Sequence, residues 1–462
     1  MTIHDFFIDK SAKKLSICSK LALGIYLFFA YFTPTFAADL MDIYKAALNS
    51  DPTYQAAVST RLSQREAIPQ SVAVLLPNIS AQANISNIYQ TITQPPTTEQ
   101  PNGISNLQSQ GYNISIRQPL INVNAWLALK QASSIGKQAD LTLAAAAQDL
   151  IFRVASAYFN VLSAQDTLRF YQAEKTADSK QLNQAQKRVQ VGLDALTSVY
   201  EAKAAYDKSV ATEISAENNL RNNQEGLRQL TGQTYSSINR FAKKIPLQTP
   251  QPNNIEDWVN AATQNNLKLI AARYGVEISR EKIKMQASGH LPSLSLIGNY
   301  GNTDTFNNAP NSLNKRVGTL GFELDIPLFA GGAVSSKTRQ AQYDFQTASA
   351  NLDNTYRRLI INTRQKYNDV LADISKIKAE QQAIKSAQLS LGSTEESYKA
   401  GTRTIVDVLI AQQSLYDVKR TAASDQYTYL LDTLLLKQAA GSLKPDDLMQ
   451  INQWCLTRSS IY

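Results

Sequence analysis

The sequence predicts a mainly α-helical chain that also builds part of a membrane β-barrel, with four strands and several long helices laid out as an internal duplication. Three observations carry this reading. Beyond the first 37 residues, prolines occur only within 52–119, within 246–327 and at 445, leaving two proline-free runs of more than 110 residues. The two proline-bearing regions contain stretches that alternate apolar and polar residues with a period of two. The landmarks of the first half then recur in order in the second.

The chain opens with Lys10, Lys13, Lys14 and Lys20 ahead of a 12-residue apolar run, Leu21 to Phe32. That run is short of the roughly 20 residues a transmembrane helix needs, and Thr35 and Ala37 stand at the small-residue positions of a cleavage site. Residues 1–37 read as a secretory signal peptide. Removing four Lys and two Asp lowers the net charge from +8 to +6. The remaining basic residues are dispersed rather than clustered with aromatics, so nucleic acid is not an expected partner.

Proline lacks the backbone donor a helix interior needs and clashes with the preceding turn, so the two long proline-free runs predict helices. Each run is interrupted by a glycine, Gly192 in Val191-Gly192-Leu193 and Gly401 in Ala400-Gly401-Thr402, which predicts two helix-turn-helix points. A helix from about 123 to 191 would be roughly 100 Å long at about 1.5 Å per residue, far beyond a hydrocarbon core of about 30 Å. Its apolar positions are often Ala and its polar ones fall on more than one side, which suggests a hollow wall with water on both faces.

Strands are predicted where Ile79, Ala81, Ala83 and Ile85, then Tyr112, Ile114 and Ile116, alternate with polar residues. Leu294 and Leu296, then Leu320, Phe322, Leu324 and Ile326, do the same in the second half. The turn-rich stretches Thr91–Gly103 and Asn302–Asn314 read as exposed loops. Ala46-Ala47, Arg65-Glu66 and Leu76-Pro77 match Ala261-Ala262, Arg280-Glu281 and Leu291-Pro292 at a shift of 215. After the strands, Tyr158, Gly192 and Gly232 match Tyr367, Gly401 and Gly441 at 209. The expected units are a first repeat, 38–245, a second, 246–450, and a tail, 451–462.

Four amphipathic strands cannot close a barrel when the smallest bacterial barrels have about eight, and an open sheet edge is untenable in lipid. Several chains must therefore close one barrel together. Past the leader only His290 and Cys455 remain of their types, so no cofactor, metal centre or catalytic set is expected. An enzyme is disfavoured on that count. A secreted coiled-coil interaction or adaptor protein, the other alternative, leaves the four strands and the duplication unexplained.

Ala157-Tyr158-Phe159-Asn160-Val161-Leu162, His290-Leu291-Pro292, Val191-Gly192-Leu193 and the run Gly401-Thr402-Arg403-Thr404-Ile405-Val406-Asp407-Val408-Leu409 closely resemble TolC-family outer-membrane channels. The similarity spans residues 38–450. The resemblance implies a homotrimer in which twelve strands form one outer-membrane barrel, continued by a helical tunnel through the periplasm. It implies a passive exit duct for drug efflux and type I protein secretion, docked by a periplasmic adaptor protein and served by an inner-membrane efflux transporter or ABC exporter. It also places Asp407 at the periplasmic entrance, where three converging carboxylates would attract cations and raise one another's pKa.

The familiar pattern has a second entrance aspartate three residues on, where this chain has Ile410, so weaker cation selectivity is expected. Thr197, Tyr398 and Arg403 match the network that holds the entrance shut, while Ser198 stands where a carboxylate is usual. A looser closed state is expected unless another acid substitutes. Arg188, Val191, Gly192 and Leu193, with Ala400, Gly401 and Thr402, match the tips on which adaptors dock.

Overall fold

The computed structural model describes residues 38–92, 103–235, 237–241, 245–307 and 313–455. The expected signal peptide, 1–37, and residues 456–462 of the expected tail lie outside the described residues. Three short helices open the chain, α1 (Leu40–Ser50), α2 (Pro52–Arg65) and α3 (Ala67–Ala73), followed by strands β1 (Asn78–Ile92) and β2 (Gly103–Ile121). Two long helices follow, α4 (Val123–Gln190) and α5 (Leu196–Thr231). The second half supplies α6 (Ile255–Asn265), α7 (Leu267–Ala287), strands β3 (Ser293–Asn307) and β4 (Leu313–Asp325), α8 (Ala333–Lys399) and α9 (Ile405–Ala439). Helix α10 (Pro445–Cys455) closes the chain and runs across the expected boundary at 450. It packs on α1, where Asn452 accepts from the Leu40 N–H at 3.2 Å and donates to Asp39 at 2.9 Å.

The break between α2 and α3, where the second half has one continuous α7, follows from Pro69. Its ring has no N–H and collides with the carbonyl four residues back, that of Arg65, where α2 ends.

The four strands form one antiparallel sheet in the order β1-β2-β3-β4. Ile79 pairs with Ile116, Ile116 with Gly298, and Gly298 with Leu320, so these residues share a face. That face is exposed and apolar, with Ile79, Ile85, Ile114, Tyr300, Leu320 and Phe322 all open to the surroundings. On the opposite face Arg117 reaches across β3 to Glu323 at 2.7 Å. The strands run further than the alternation predicts. Asn302–Asn307 continues β3 and Thr91-Ile92 continues β1, taking up both ends of segments read as loops. The ladder continues because the backbone pairs whatever the side chain; Asn302 and Asp304 merely break the apolar pattern.

Helix α4 leaves the sheet one residue after β2 and ends at the Gly192 turn, and its 68 residues separate the two by about 100 Å. Helix α8, with 67 residues, spans the same distance in the second half. The main core lies midway, where Leu150–Leu162 of α4 meets α1, α6, α9 and α10. Tyr158 and Phe159 are fully buried there, and Phe159 stacks on Tyr427 with ring centroids 6.0 Å apart. Among the described residues no helix is long and apolar enough to cross a membrane. The polar positions on several helix faces do not all meet water: Glu174, Asp178, Ser209, Glu281, Thr363 and Gln412 are buried between helices of one protomer. Much of the polar scatter is therefore interhelical bonding within the wall.

Candidate functional site at the glycine turns

The two helix pairs α4/α5 and α8/α9 end in the same backbone device. Leu193 N–H donates to the Arg188 carbonyl and Gly192 N–H to that of Val189; Thr402 and Gly401 repeat the pattern on Ser397 and Tyr398. Such a cap needs a left-handed residue, and both glycines have φ of 77°. A Cβ at either would meet nothing within 4 Å, so the glycines serve the backbone angle rather than close packing. The turns present apolar residues outward, with Val191 69% and Leu193 64% exposed.

Asp407 lies in the first turn of α9 and caps it. Its carboxylate accepts from the Thr404 N–H and hydroxyl, each at 2.9 Å, while the Asp407 N–H donates to Thr404 Oγ1 at 3.3 Å. Arg403 stands 3.5 Å from the same carboxylate. The Thr404 hydrogen bonds, and then the Arg403 charge, hold this carboxyl below the usual carboxylate range. Within one protomer the shift is thus opposite to the rise expected from crowding, because the cap favours the charged form. The side chain keeps 34% exposure.

Tyr398, only 3% exposed, is the anchor of the site. Its hydroxyl donates to Asp194 Oδ2, and Arg188 Nε donates to the same oxygen at 2.9 Å. The Arg188 guanidinium also lies over the Tyr398 ring, 4.7 Å from its centroid. Ala185, Ala202, Ile405 and Val408 form the buried floor beneath. Burial, and next the Asp194 carboxylate, push the Tyr398 hydroxyl up to about 12, so it stays a donor at any working pH. A second tie runs from Gln181 Nε2 of α4 to Glu395 Oε1 of α8 at 3.3 Å.

Within one protomer the expected latch residues fall into separate groups. Tyr398 is engaged by Asp194 and Arg188, whereas Arg403, in the turn that leads into α9, pairs with Asp407 in the first turn of that helix. Thr197 is exposed and Ser198 half-buried in the first turn of α5, and among the described residues Arg403 reaches neither. Sequence reading missed Asp194. The available signal was an acid four residues before Ser198, close to one helical turn away, on the far side of the glycine from Arg188.

The sequence profile of the family described as "Outer membrane efflux protein" matches residues 43–233 and 258–442. The chain belongs to the outer membrane efflux protein family. It is 39% identical to "Outer membrane protein TolC" of Vibrio cholerae over 420 residues, covering 90% of this chain and 93% of that protein. It is 27% identical to "Proteases secretion protein PrtF" of Dickeya chrysanthemi, covering 90% and 91%. Among solved structures, the outer membrane protein VceC of Vibrio cholerae superposes with a TM-score of 0.73 at 21% identity, covering 87% of this chain and 96% of that one. This efflux protein is accordingly an outer-membrane channel protein whose long helices extend into the periplasm. The apolar sheet face and the glycine turns lie at opposite ends of the long helices. Among the described residues no cluster of three or more His, Cys, Asp or Glu is placed to hold a metal ion.

Proposed function

We propose that three copies of this chain close a twelve-stranded barrel and form a passive exit duct for efflux and type I secretion, gated at the glycine-turn tips. The observation that carries the proposal is the sheet itself. Its four strands present an apolar outer face, yet β1 and β4 pair on one side only. Unpaired backbone groups cost several kcal/mol each in lipid, so the edges need neighbouring copies. The same element order before and after residue 245 supports the duplicated origin of the two halves.

At the tip, the Tyr398–Asp194–Arg188 cluster ties the α8/α9 coil to the α4/α5 coil. Opening by separation of the coils must break that tie, so Asp194 supplies the carboxylate that Ser198 lacks. Asp407 faces the entrance as a single ring of three carboxylates, kept ionised by its cap. The exposed Val191 and Leu193 offer an apolar surface for a periplasmic adaptor linked to an inner-membrane transporter or exporter. Reconstitution in a planar bilayer tests the reading. A small cation-selective conductance is expected, larger in Asp194→Asn. A membrane-inserted protein that passes no current in either form would overturn it.

A further inference from the structure

About 20 Å above the Gly192 turn, at roughly 1.5 Å per residue, three helices meet around one carboxyl group. Asp178 of α4 is 6% exposed, and Gln412 of α9 and Ser209 of α5 are as deeply buried beside it. Gln412 Nε2 donates to Asp178 Oδ1 at 2.6 Å. The Ser209 hydroxyl also bonds to the Asp178 carboxyl, while lying 2.8 Å from the Tyr206 carbonyl to which it donates. Shared between the Tyr206 carbonyl and Asp178, the Ser209 hydroxyl favours the charged carboxyl, as does the Gln412 amide, so what opposes ionisation is burial among the three helices.

The charges around the site do not favour ionisation. Glu174, one turn along α4, is buried and adds like charge. The Arg420 guanidinium of α9 is taken by Glu174 at 2.6 Å and by Asp417, and it lies 4.2 Å from the Tyr171 ring centroid. Tyr416 of α9 donates to the Ala173 carbonyl at 3.3 Å. Lys208 of α5 is the one cation acting on Asp178 with opposite sign among its main influences. On α8, Glu395 accepts a hydrogen bond from Gln181 of α4. Burial first, and Glu174 as a further push, raise the Asp178 carboxyl to about 6.

We propose that Asp178, between Gln412 and Ser209, is a protonation-controlled clasp joining the α4/α5 and α8/α9 coils: the neutral acid holds them together and the ionised acid lets them part. The clasp rests on the gating reading above and adds a positioning residue to it. In the closed tunnel the group binds its proton more tightly than in a parted, hydrated one. Closure is therefore favoured below the ordinary carboxylate value of 3.8 and loses that support as pH rises through about 6.

The test is the open fraction of the reconstituted full-length trimer in a planar bilayer, in an Asp407→Asn background so that the entrance ring contributes no titration. With a closed-state value of about 6 against 3.8, the open-to-closed ratio should rise about tenfold from about pH 5 to about pH 7. Asp178→Asn, which mimics the neutral acid, should abolish the rise and keep the channel in its low-pH state. Gln412→Leu removes a donor that favours the anion, so it should move the midpoint to higher pH. The proposal is overturned if the background protein shows no rise, if Asp178→Asn keeps the full rise, or if Gln412→Leu leaves the midpoint in place. A trimer that inserts but never conducts at either pH would remove the gating reading itself, and the clasp with it.

Discussion

Replacing Tyr398 by Phe removes one hydroxyl from the tip and leaves the rest of the cluster in place. The ring keeps its contacts with Ala185, Ile405 and Val408, and the Arg188 guanidinium stays over its face. Asp194 keeps its 2.9 Å bond from Arg188, so no buried charge is stranded. What disappears is a hydrogen bond to a charged acceptor, whose net worth is about 1.5–3 kcal/mol. If that bond exists only while the coils are together, its loss raises the open-to-closed ratio about tenfold to a hundredfold per tip, at about 1.4 kcal/mol per factor of ten. Single-channel recording at fixed salt reads this as a larger open fraction. The thermal midpoint should hardly move, because the main core around Phe159 and Tyr427 is far from the tip. An open fraction equal to that of the parent would show that this bond does not hold the entrance closed.

Other consequences follow from the same geometry. Asp407→Ala should lower cation selectivity. Since the cap holds this carboxyl below 3.8, the selectivity it confers is present above that value and should disappear only as pH falls through its lowered pKa. Reversal potentials across a salt gradient check both points. Gly401→Ala forces a side chain into a left-handed conformation and should cost about 1–2 kcal/mol locally, without a clash, seen as faster proteolysis at the tip of an intact trimer. Leu320→Arg, on the lipid-facing surface, should cost up to about 2–4 kcal/mol and reduce the membrane-inserted fraction, whereas Thr319→Arg, on the opposite face, should be tolerated.

The long helices were legible because proline absence and glycine turns act locally along the chain. The strand cores were legible wherever one face was apolar, as at Ile79–Ile85, and fell short where Asn302 and Asp304 interrupt the pattern while the backbone pairing continues. The division of α2 from α3 lies in Pro69, a single proline inside an otherwise helix-forming stretch. What the sequence hid was pairing across helices. Asp178 and Gln412 are 234 positions apart, and Asp194 and Tyr398 are 204 apart. A polar residue on a helix reads as solvated until the register of its neighbour is known, which is why the buried junctions looked like a wet surface. Asp407 shows the same limit in reverse: resemblance placed it at the entrance, but its capping role and lowered titration came only from the first turn of α9.

The open edges of the four-stranded sheet need strands from neighbouring copies. Native mass measurement of the protein extracted from outer membranes in mild detergent tests this. The expected result is a complex of three chains, which supplies twelve strands and leaves no edge in lipid. A stable membrane-extracted single chain, or a monomer recovered from the soluble periplasm, would contradict it.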